Sequence, residues 1–302
     1  MRPPLIQRVT RKLGRIGATT VYRITGRWDE DFNPIFVCGA SGAGTSLLRG
    51  LLDQNFDVAA SLVESARSVA EDSTLYVGPA HHYGNIDEYL QALYFPSGTT
   101  VDQVREDSLS LYRRFVRHPK RSSVVIDKSA NSHLVRAEHL AAAFPPGRFI
   151  LILRNPITTI EGFRRKWHLF MNADLTELCD FWLELHRTFL QQSVAFSDRV
   201  IGLTFDDLMR DSVSNVQWIG QWADLAPRRE KYPYQDESNK PGRGLRNVVQ
   251  GEIRVDESAE QDSLSRISAS DKETIQERIG DTYQDLIDHI ADWKNMAEKP
   301  ER

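Results

Sequence analysis

The sequence has little cysteine, no long apolar run and no excess of positive charge. Its two cysteines, Cys38 and Cys179, exclude a disulfide framework and a zinc site built on paired cysteines. No apolar run approaches the roughly 20 residues that span a bilayer, and the N-terminus lacks the apolar core of a secretory signal. The net charge of -4 argues against nucleic acid as the main partner. We therefore expect a soluble, cytoplasmic protein.

What is present is the composition of a globular protein, with 40% hydrophobic and 26% charged residues in a chain of 302. Short apolar segments alternate with helical ones, which predicts an α/β fold: a three-layer sandwich with a mainly parallel central sheet. The predicted strands are 35–38, 122–127, 149–153 and 199–205. Ligands of such sheets bind at the carboxyl ends of the strands, so the loops that follow these strands should converge.

The N-terminal segment differs from the rest of the chain. Residues 1–28 carry seven basic side chains and no acidic one. We assign 1–33 as a basic N-terminal arm and 34–302 as a single α/β domain. The arm is interpreted either as a peripheral contact with an anionic membrane or acidic partner, or as a solvated segment with one packed face.

Two further stretches interrupt the alternation of strands and helices. Residues 56–121 are predicted to form a helical insert that covers the substrate. Residues 227–264 are polar and predict a long loop with little regular structure. The helix predicted after them, 268–294, is expected to have Ser270 as its N-cap and Glu273 as the partner in a capping box.

A glycine-rich loop, GASGAG, runs from Gly39 to Gly44 after the first predicted strand. Thr45 and Ser46 then open an apolar helix. A strand, a glycine loop and a helix in this order direct backbone N–H groups onto an anion, usually a phosphate. The alternative is a tight strand-to-helix turn that needs glycine only for its backbone. Because Thr45 stands where ATP-binding loops carry lysine, an ATP-dependent kinase is disfavoured.

Arg154 indicates a second anion site. It follows the strongest predicted strand, 149–153, and an arginine at a strand end suits a phosphate. Arg164, Arg165 and Lys166 follow in the next helix and add positive charge. Two anion sites at the ends of two strands predict a nucleotide with phosphates at both ends.

Four blocks, in order, resemble the sulfotransferase superfamily, whose members use 3′-phosphoadenosine-5′-phosphosulfate. The blocks are PIFVCGASGAGTSLLRGLLD, VVIDKSANSHLVRAEHLAAAFPPGRFILILRNP, RVIGLTFDDLMRD and SASDKETIQERIGDTYQDL. The resemblance covers roughly residues 34 to 294, with the insert unmatched. It implies a P-loop type fold, the phosphosulfate nucleotide as co-substrate, no metal, and a small-molecule, carbohydrate or lipid acceptor with a hydroxyl group.

The resemblance also assigns site residues. The 3′-phosphate would be bound by Arg154, with Gly162 and Arg165 at the same site. Lys128 would lie beside the transferring sulfuryl group, and Glu64 would be the general base, with His81 or His82 as second choices. The 5′-phosphosulfate would be bound by the loop residues Ser41, Gly42, Ala43, Gly44, Thr45 and Ser46.

Two positions depart from the family pattern. Gly42 stands where relatives carry a lysine or arginine, and Gly162 stands where they carry a serine. Losing a cation aimed at developing charge typically costs orders of magnitude in rate. Lys128, Arg49 or a residue of the insert could supply that charge. The alternatives to a sulfotransferase are a catalytically weakened sulfotransferase-like nucleotide-binding protein and, third, a P-loop kinase.

Overall fold

The computed structural model describes residues 32–116, 122–166, 168–228, 247–249, 252–254 and 257–298. The chain divides into two units, Met1–Phe32 and Asn33–Arg302. The predicted basic arm therefore lies almost entirely outside the described residues. Everything below concerns the second unit.

The second unit is built on a five-stranded sheet with the order β2-β3-β1-β4-β5. Every neighbouring pair is parallel, so the predicted α/β class with a parallel central sheet is confirmed. Its strands are β1 (Asn33–Cys38), β2 (Ala60–Val63), β3 (Val124–Lys128), β4 (Arg148–Leu153) and β5 (Val200–Thr204). A separate antiparallel pair consists of β6 (Asn247–Val249) and β7 (Glu252–Arg254).

Helices connect the strands and cover the sheet, as parallel pairing requires. They are α1 (Thr45–Asn55), α2 (Ile86–Leu93), α3 (Val101–Phe115), α4 (Ser132–Val135), α5 (Ala137–Ala143), α6 (Pro156–Lys166), α7 (His168–Met171), α8 (Leu175–Ser193), α9 (Phe205–Arg210), α10 (Ser212–Trp222), α11 (Glu257–Ser265) and α12 (Ala269–Ala297). Short 3-10 turns occupy Ser65–Arg67, Ala80–His82 and Val194–Arg199. No helix among the described residues is long and apolar enough to cross a membrane.

The central strands form the core because their side chains are apolar on both faces. Five of the six residues of β4 are buried, and so are five of the six residues of β1. Strands buried on both faces read as continuous apolar runs, which is why these two were recognisable in the sequence. β1 lies between β3 and β4, and the chain leaves β1 toward one side of the sheet and β4 toward the other. This is a topological switch point, where ligands of open α/β sheets bind.

Several predicted elements differ in the structure. β2 was not predicted: it has four residues and lies at the edge of the sheet, inside the stretch assigned to the insert. A short edge strand leaves too few residues for a pattern. The segment after β3 forms two helices, α4 and α5, separated at Arg136. Arg136 has φ -111° and ψ 3°, and its side chain donates to Leu75 O at 2.8 Å.

The C-terminal third also differs from expectation. The predicted long loop, 227–264, contains β6, β7 and most of α11. The last helix begins at Ala269, and its N-cap is Ser268, whose Oγ accepts a hydrogen bond from Asp271 N at 3.0 Å. Ser270 and Glu273 therefore lie inside the helix. Ser268 stands three residues before Asp271, and Ser270 stands three residues before Glu273. The spacing alone therefore did not show which serine is the N-cap.

Candidate functional site

The glycine loop joins β1 to α1 at the switch point of the sheet. Gly39, Gly42 and Gly44 have φ of 157°, 94° and 102°. The last two lie in the region that favours glycine. α1 follows with no side-chain cap at Gly44. Because the first N–H groups of a helix have no partner within it, Thr45 and Ser46 present donors at this end. The loop and helix together present a positively polarised end that is suited to hold an anion.

The loop residues do not all face outward. Ser41, Ala43 and Thr45 are buried, whereas Gly42 and Ser46 are exposed. Ser41 N donates to the side chain of Asn131 at 2.8 Å, and Ala43 N donates to Ala40 O at 2.9 Å. These two N–H groups therefore hold the loop in shape. The donors left for an anion are those of Gly42, Gly44 and the first turn of α1.

Close packing fixes the loop against the neighbouring strands. A Cβ on Gly39 would lie 2.7 Å from Ile152 O, and a Cβ on Gly44 would lie 2.6 Å from the Phe205 ring. At both positions only glycine fits without displacing a neighbour. Gly42 differs, because a Cβ there would meet nothing within 4 Å. Its side-chain position opens onto free space beside the anion site.

Arg154 reaches the loop from the end of β4. Its Nη1 donates to Gly42 O at 3.0 Å, and its guanidinium lies over the Phe205 ring, 4.6 Å from the centroid. Phe205 is the first residue after β5. The ends of β1, β4 and β5 thus meet at one guanidinium, which is the convergence expected from the sequence.

Glu64 and Lys128, the two residues assigned to catalysis, form an ion pair between Glu64 Oε1 and Lys128 Nζ. Lys128 is the last residue of β3, in register with Val37 of β1 and Val63 of β2. Glu64 follows β2 directly and has a left-handed backbone, with φ 53° and ψ 57°. The Lys128 side chain is 3% exposed and that of Glu64 is 27% exposed. The carboxylate is therefore the partner that an acceptor can reach.

Opposing effects act on the Lys128 ammonium. Burial lowers its pKa, while the charge and hydrogen bond of Glu64 act to raise it. The positive charges of Arg49 and Arg67 lower it further. The net direction is downward. Arg49, an alternative source of the missing loop cation, lies on α1 and donates from Nη1 to Ser61 Oγ at 2.9 Å.

A buried polar cluster lies behind the ion pair. Asp127, next to Lys128 in β3, accepts a hydrogen bond from Tyr112 Oη at 2.9 Å and faces His133 Nε2 at 3.5 Å. Burial raises the pKa of Tyr112 and lowers the pKa of His133, so both stay neutral around pH 7. Asp127 is 3% exposed and directed to these partners.

Gly162 and Arg165 both lie on α6, which follows Arg154. Arg165 Nε donates to Glu161 Oε1 at 2.8 Å, and Arg266 Nε donates to the same oxygen at 2.6 Å. Although burial acts to raise the pKa of Glu161, the two arginines lower it overall. A Cβ on Gly162 would meet nothing within 4 Å. Arg165 is thus tied to its own helix.

The two histidines considered as second choices for the base are exposed. His81 and His82 lie on the turn Ala80–His82, with their rings packed edge to face at 4.5 Å. In the described ranges, no cluster of three or more histidine, cysteine, aspartate or glutamate side chains is arranged to hold a metal ion. Both cysteines are buried and free.

Asn131 and Phe205 were not singled out from the sequence. Asn131 contacts the loop, and Phe205 contacts both Gly44 and Arg154. A signal for Phe205 was present, because it lies in the block RVIGLTFDDLMRD that resembles the family. No pattern in the sequence pointed to Asn131, since its partner in the loop is 90 positions away.

Comparisons with known proteins give a family and a set of similar folds. The model described as "Sulfotransferase family" matches residues 34–229. No curated protein sequence matches the chain significantly.

Among solved structures, a sulfotransferase from Mycobacterium tuberculosis has 16% identity and a TM-score of 0.41, covering 82% of this chain and 76% of that one. One from Mycobacterium avium has 16% identity and a TM-score of 0.42, covering 82% and 80%. The sulfotransferase domain of the Synechococcus PCC 7002 olefin synthase has 18% identity and a TM-score of 0.44, covering 66% and 76%.

Proposed function

Since the chain belongs to the sulfotransferase family, we propose that it transfers a sulfuryl group from 3′-phosphoadenosine-5′-phosphosulfate to an acceptor hydroxyl. The observation that carries the proposal is the ion pair between Glu64 and Lys128 at the ends of β2 and β3. It combines a partly exposed carboxylate with a buried ammonium beside an anion-binding loop. Those are the base and the charge donor that sulfuryl transfer requires.

The nucleotide is held at both ends in this proposal. The 5′-phosphosulfate accepts hydrogen bonds from Gly42, Gly44, Thr45 and Ser46, at the uncapped N-terminus of α1. Ser41 and Ala43 contribute by shaping the loop. The guanidinium of Arg154 binds the 3′-phosphate, with α6 supplying Gly162 and Arg165 at the same site. In this proposal, backbone N–H groups and cationic side chains balance the negative charge of the nucleotide, so no metal ion is needed.

Glu64 begins the reaction by accepting the proton of the acceptor hydroxyl. The acceptor oxygen forms a bond to sulfur while the bond between sulfur and the bridging phosphate oxygen breaks. The electron pair of the broken bond stays on the 5′-phosphate of the departing 3′-phosphoadenosine-5′-phosphate. Loop N–H groups and the Lys128 ammonium stabilise that charge as it develops.

Lys128 takes the place of the loop cation that relatives carry at the position of Gly42. An ammonium has three donors, and only one is needed for Glu64. Its burial strengthens its interaction with charge in the transition state.

A second candidate, a nucleotide-binding protein with weak catalysis, is favoured by the open space at Gly42 and Gly162, where the usual side chains are absent.

The acceptor is proposed to be a carbohydrate, a lipid or another small molecule with a hydroxyl group. The stretch 56–121 supplies Glu64 directly after β2, and its helix α3 contacts β2. It is therefore the proposed wall of the acceptor site.

Calorimetry with the product nucleotide tests the binding half of the proposal. We expect 3′-phosphoadenosine-5′-phosphate to bind with micromolar affinity and ATP with Mg²⁺ to bind more weakly, because Thr45 replaces the lysine that contacts ATP. An Arg154→Gln variant should lose much more affinity for the bisphosphate than for adenosine 5′-phosphate, whose smaller loss would reflect the contact of Arg154 with Gly42 O. Preference for ATP would contradict both the transferase and the weakened binding protein and favour a kinase.

Transfer of labelled sulfate to a panel of hydroxyl acceptors tests the chemistry. We expect Lys128→Met to lower kcat by about a hundredfold or more, the usual effect of removing a donor to developing charge. Gly42→Arg, placed where nothing lies within 4 Å of a Cβ, should restore part of that rate in the double variant, although its φ of 94° adds about 1–2 kcal/mol of backbone strain. The exposed Arg278→Ala, outside the stretch 56–121, is the control. An unchanged rate in Lys128→Met would remove Lys128 from the mechanism, and binding without transfer by the native chain would support the weakened protein.

A further inference from the structure

Asn131 has a strained backbone at a buried position. It is 1% exposed, and its φ and ψ are 66° and -56°. Ser132 N donates to Ala130 O at 2.9 Å, which closes a three-residue turn around it. A turn of this kind with positive φ at a non-glycine residue is rare and strained. Such residues persist where the surrounding contacts determine them.

Two of those contacts hold the nucleotide loop. Asn131 N donates to Gly39 O at 3.1 Å, and Asn131 Oδ1 accepts from Ser41 N at 2.8 Å. The two bonds fasten the loop on both sides of Ala40. The side-chain orientation is determined chemically, because a backbone N–H can only donate and must therefore face the amide oxygen.

The other end of the amide faces the stretch that carries the base. Asn131 Nδ2 lies 3.4 Å from Tyr89 Oη on α2. Tyr89 is also hydrogen-bonded by Arg67, whose backbone N–H donates to Glu64 O at 2.9 Å. A continuous chain of polar contacts thus runs from Ser41 through Asn131, Tyr89 and Arg67 to Glu64.

We propose that Asn131 is a positioning residue that holds the nucleotide loop and the turn bearing Glu64 in fixed register. The consequence for the reaction rests on the proposed function, whereas the effect on the loop does not. Its oxygen shapes the loop through Ser41, and its nitrogen connects the loop to the acceptor side. Removing the side chain loosens the loop and weakens nucleotide binding.

The competing explanation is that asparagine is present only because it tolerates positive φ. Glycine tolerates this backbone better, so Asn131→Gly separates the two explanations. It relieves the strain and deletes both side-chain contacts. Asn131→Asp keeps an oxygen facing Ser41 and loses the donor to Tyr89. Asp224→Gly is the matched control, since Asp224 is exposed and also has positive φ, 52°.

The first readout is amide hydrogen exchange of residues 39–46 in the nucleotide-free protein. We expect exchange in Asn131→Gly to be about tenfold faster than in the native chain, the effect of losing one net hydrogen bond. Asn131→Asp should retain the native rate there, and so should Asp224→Gly. Native exchange in Asn131→Gly would overturn the proposal.

The second readout is the affinity for 3′-phosphoadenosine-5′-phosphate. We expect Kd to rise about tenfold in Asn131→Gly and kcat to fall with it, while Asp224→Gly stays native. If the native chain does not bind this nucleotide but Asn131→Gly still loosens the loop, the positioning role stands and the proposed function fails. If the native chain binds it and Asn131→Gly changes neither readout, the positioning role fails alone.

Discussion

The Lys128 ammonium is buried on the site side of β3, with a single carboxylate as its hydrogen-bonded partner in the described contacts. Burial lowers its pKa below the usual 10.5. The proposed transfer needs the charged form, so kcat should fall as pH rises through this lowered pKa, before the pH at which an ordinary lysine titrates. Lys128→Arg should move the loss of activity to higher pH, because a guanidinium stays charged. The measurement is kcat against pH from 7 to about 11.

Native and Lys128→Arg proteins that lose activity at the same pH would show that another group titrates. Unfolding in the same range would also produce a fall, so circular dichroism at each pH is the control. Glu64→Gln should lower kcat over the whole range and also move this limb to lower pH, since it removes both the base and the negative charge that acts to raise the pKa of Lys128.

The structure brings Glu64 and Lys128 together in an ion pair, and this direct pairing was not predicted from the sequence. The two residues are 64 positions apart. The strand that carries Glu64 to Lys128 is β2, whose four residues gave no recognisable pattern. Long-range pairing of this kind depends on sheet order, which local periodicity does not contain.

The junction of β1 with α1 can pack closely against Phe205 because Gly44 has no side chain. A Cβ there would lie 2.6 Å from the Phe205 ring, and φ is 102°. We expect Gly44→Ala to lower the free energy of unfolding by about 2–4 kcal/mol, combining backbone strain with overpacking. Denaturant titration provides the measurement, and loss of nucleotide binding should accompany it.

Gly98→Ala is the matched control for Gly44→Ala. Gly98 has φ 83°, but a Cβ there would meet nothing within 4 Å. Its substitution should therefore cost only the strain, about 1–2 kcal/mol. Equal losses in the two variants would mean that contact with Phe205 has no effect. Phe205→Leu should recover part of the loss in the Gly44→Ala background.

The break between α4 and α5 serves to attach α2 to the rest of the domain. Arg136 is 2% exposed and donates to Leu93 O at 2.5 Å, Leu75 O at 2.8 Å and Tyr94 O at 3.0 Å. Burial lowers its pKa to about 9. Arg136→Lys has fewer donors in a less suitable geometry. We expect it to lower the free energy of unfolding by about 3 kcal/mol.

Limited proteolysis measures where the Arg136→Lys variant is weakened. New cleavage should occur between residues 65 and 100, with the sheet remaining intact. The exposed Arg114→Lys is the control. A loss of stability without new cleavage in this stretch would mean that Arg136 stabilises α5 rather than the segment around α2.

At the level of elements, strands with continuous apolar sequence were predictable, whereas short strands in polar segments were not. β4 and β1 were identified because nearly every residue is apolar. The pair β6 and β7 has three residues per strand in a polar context, so no signal preceded it. Helix ends were missed where two caps competed, as at Ser268 and Ser270. Tertiary packing decides which of two nearby serines caps the helix.

Acid should destabilise the whole molecule through its buried histidines. His186 is stacked on Trp182 at 3.9 Å, and burial lowers its pKa to about 4. Unfolded histidine titrates near 6.5, so below that pH the unfolded chain binds the extra proton. Stability is complete above pH 6.5 and falls by about 3 kcal/mol as pH drops to about 4. Thermal or urea unfolding across this range measures the loss.

His186→Leu should reduce the loss of stability at acid pH, since the buried proton-binding group is gone. The exposed His81→Gln should leave that loss unchanged. His133, whose pKa burial also lowers, will keep part of the slope in the His186→Leu variant. A native slope in His186→Leu would assign the acid sensitivity to other groups.

Each strand of the sheet ends at a residue or loop of the candidate site: the glycine loop after β1, Glu64 after β2, Lys128 in β3, Arg154 after β4 and Phe205 after β5. The partners in these contacts are distant in sequence, as in the 112 positions between Gly42 and Arg154. Loop closure over such distances makes parallel sheets slow to assemble. During refolding, nucleotide binding should therefore return only after the full strand order has formed, later than helix content. Bound nucleotide, in turn, favours the fully assembled sheet by mass action.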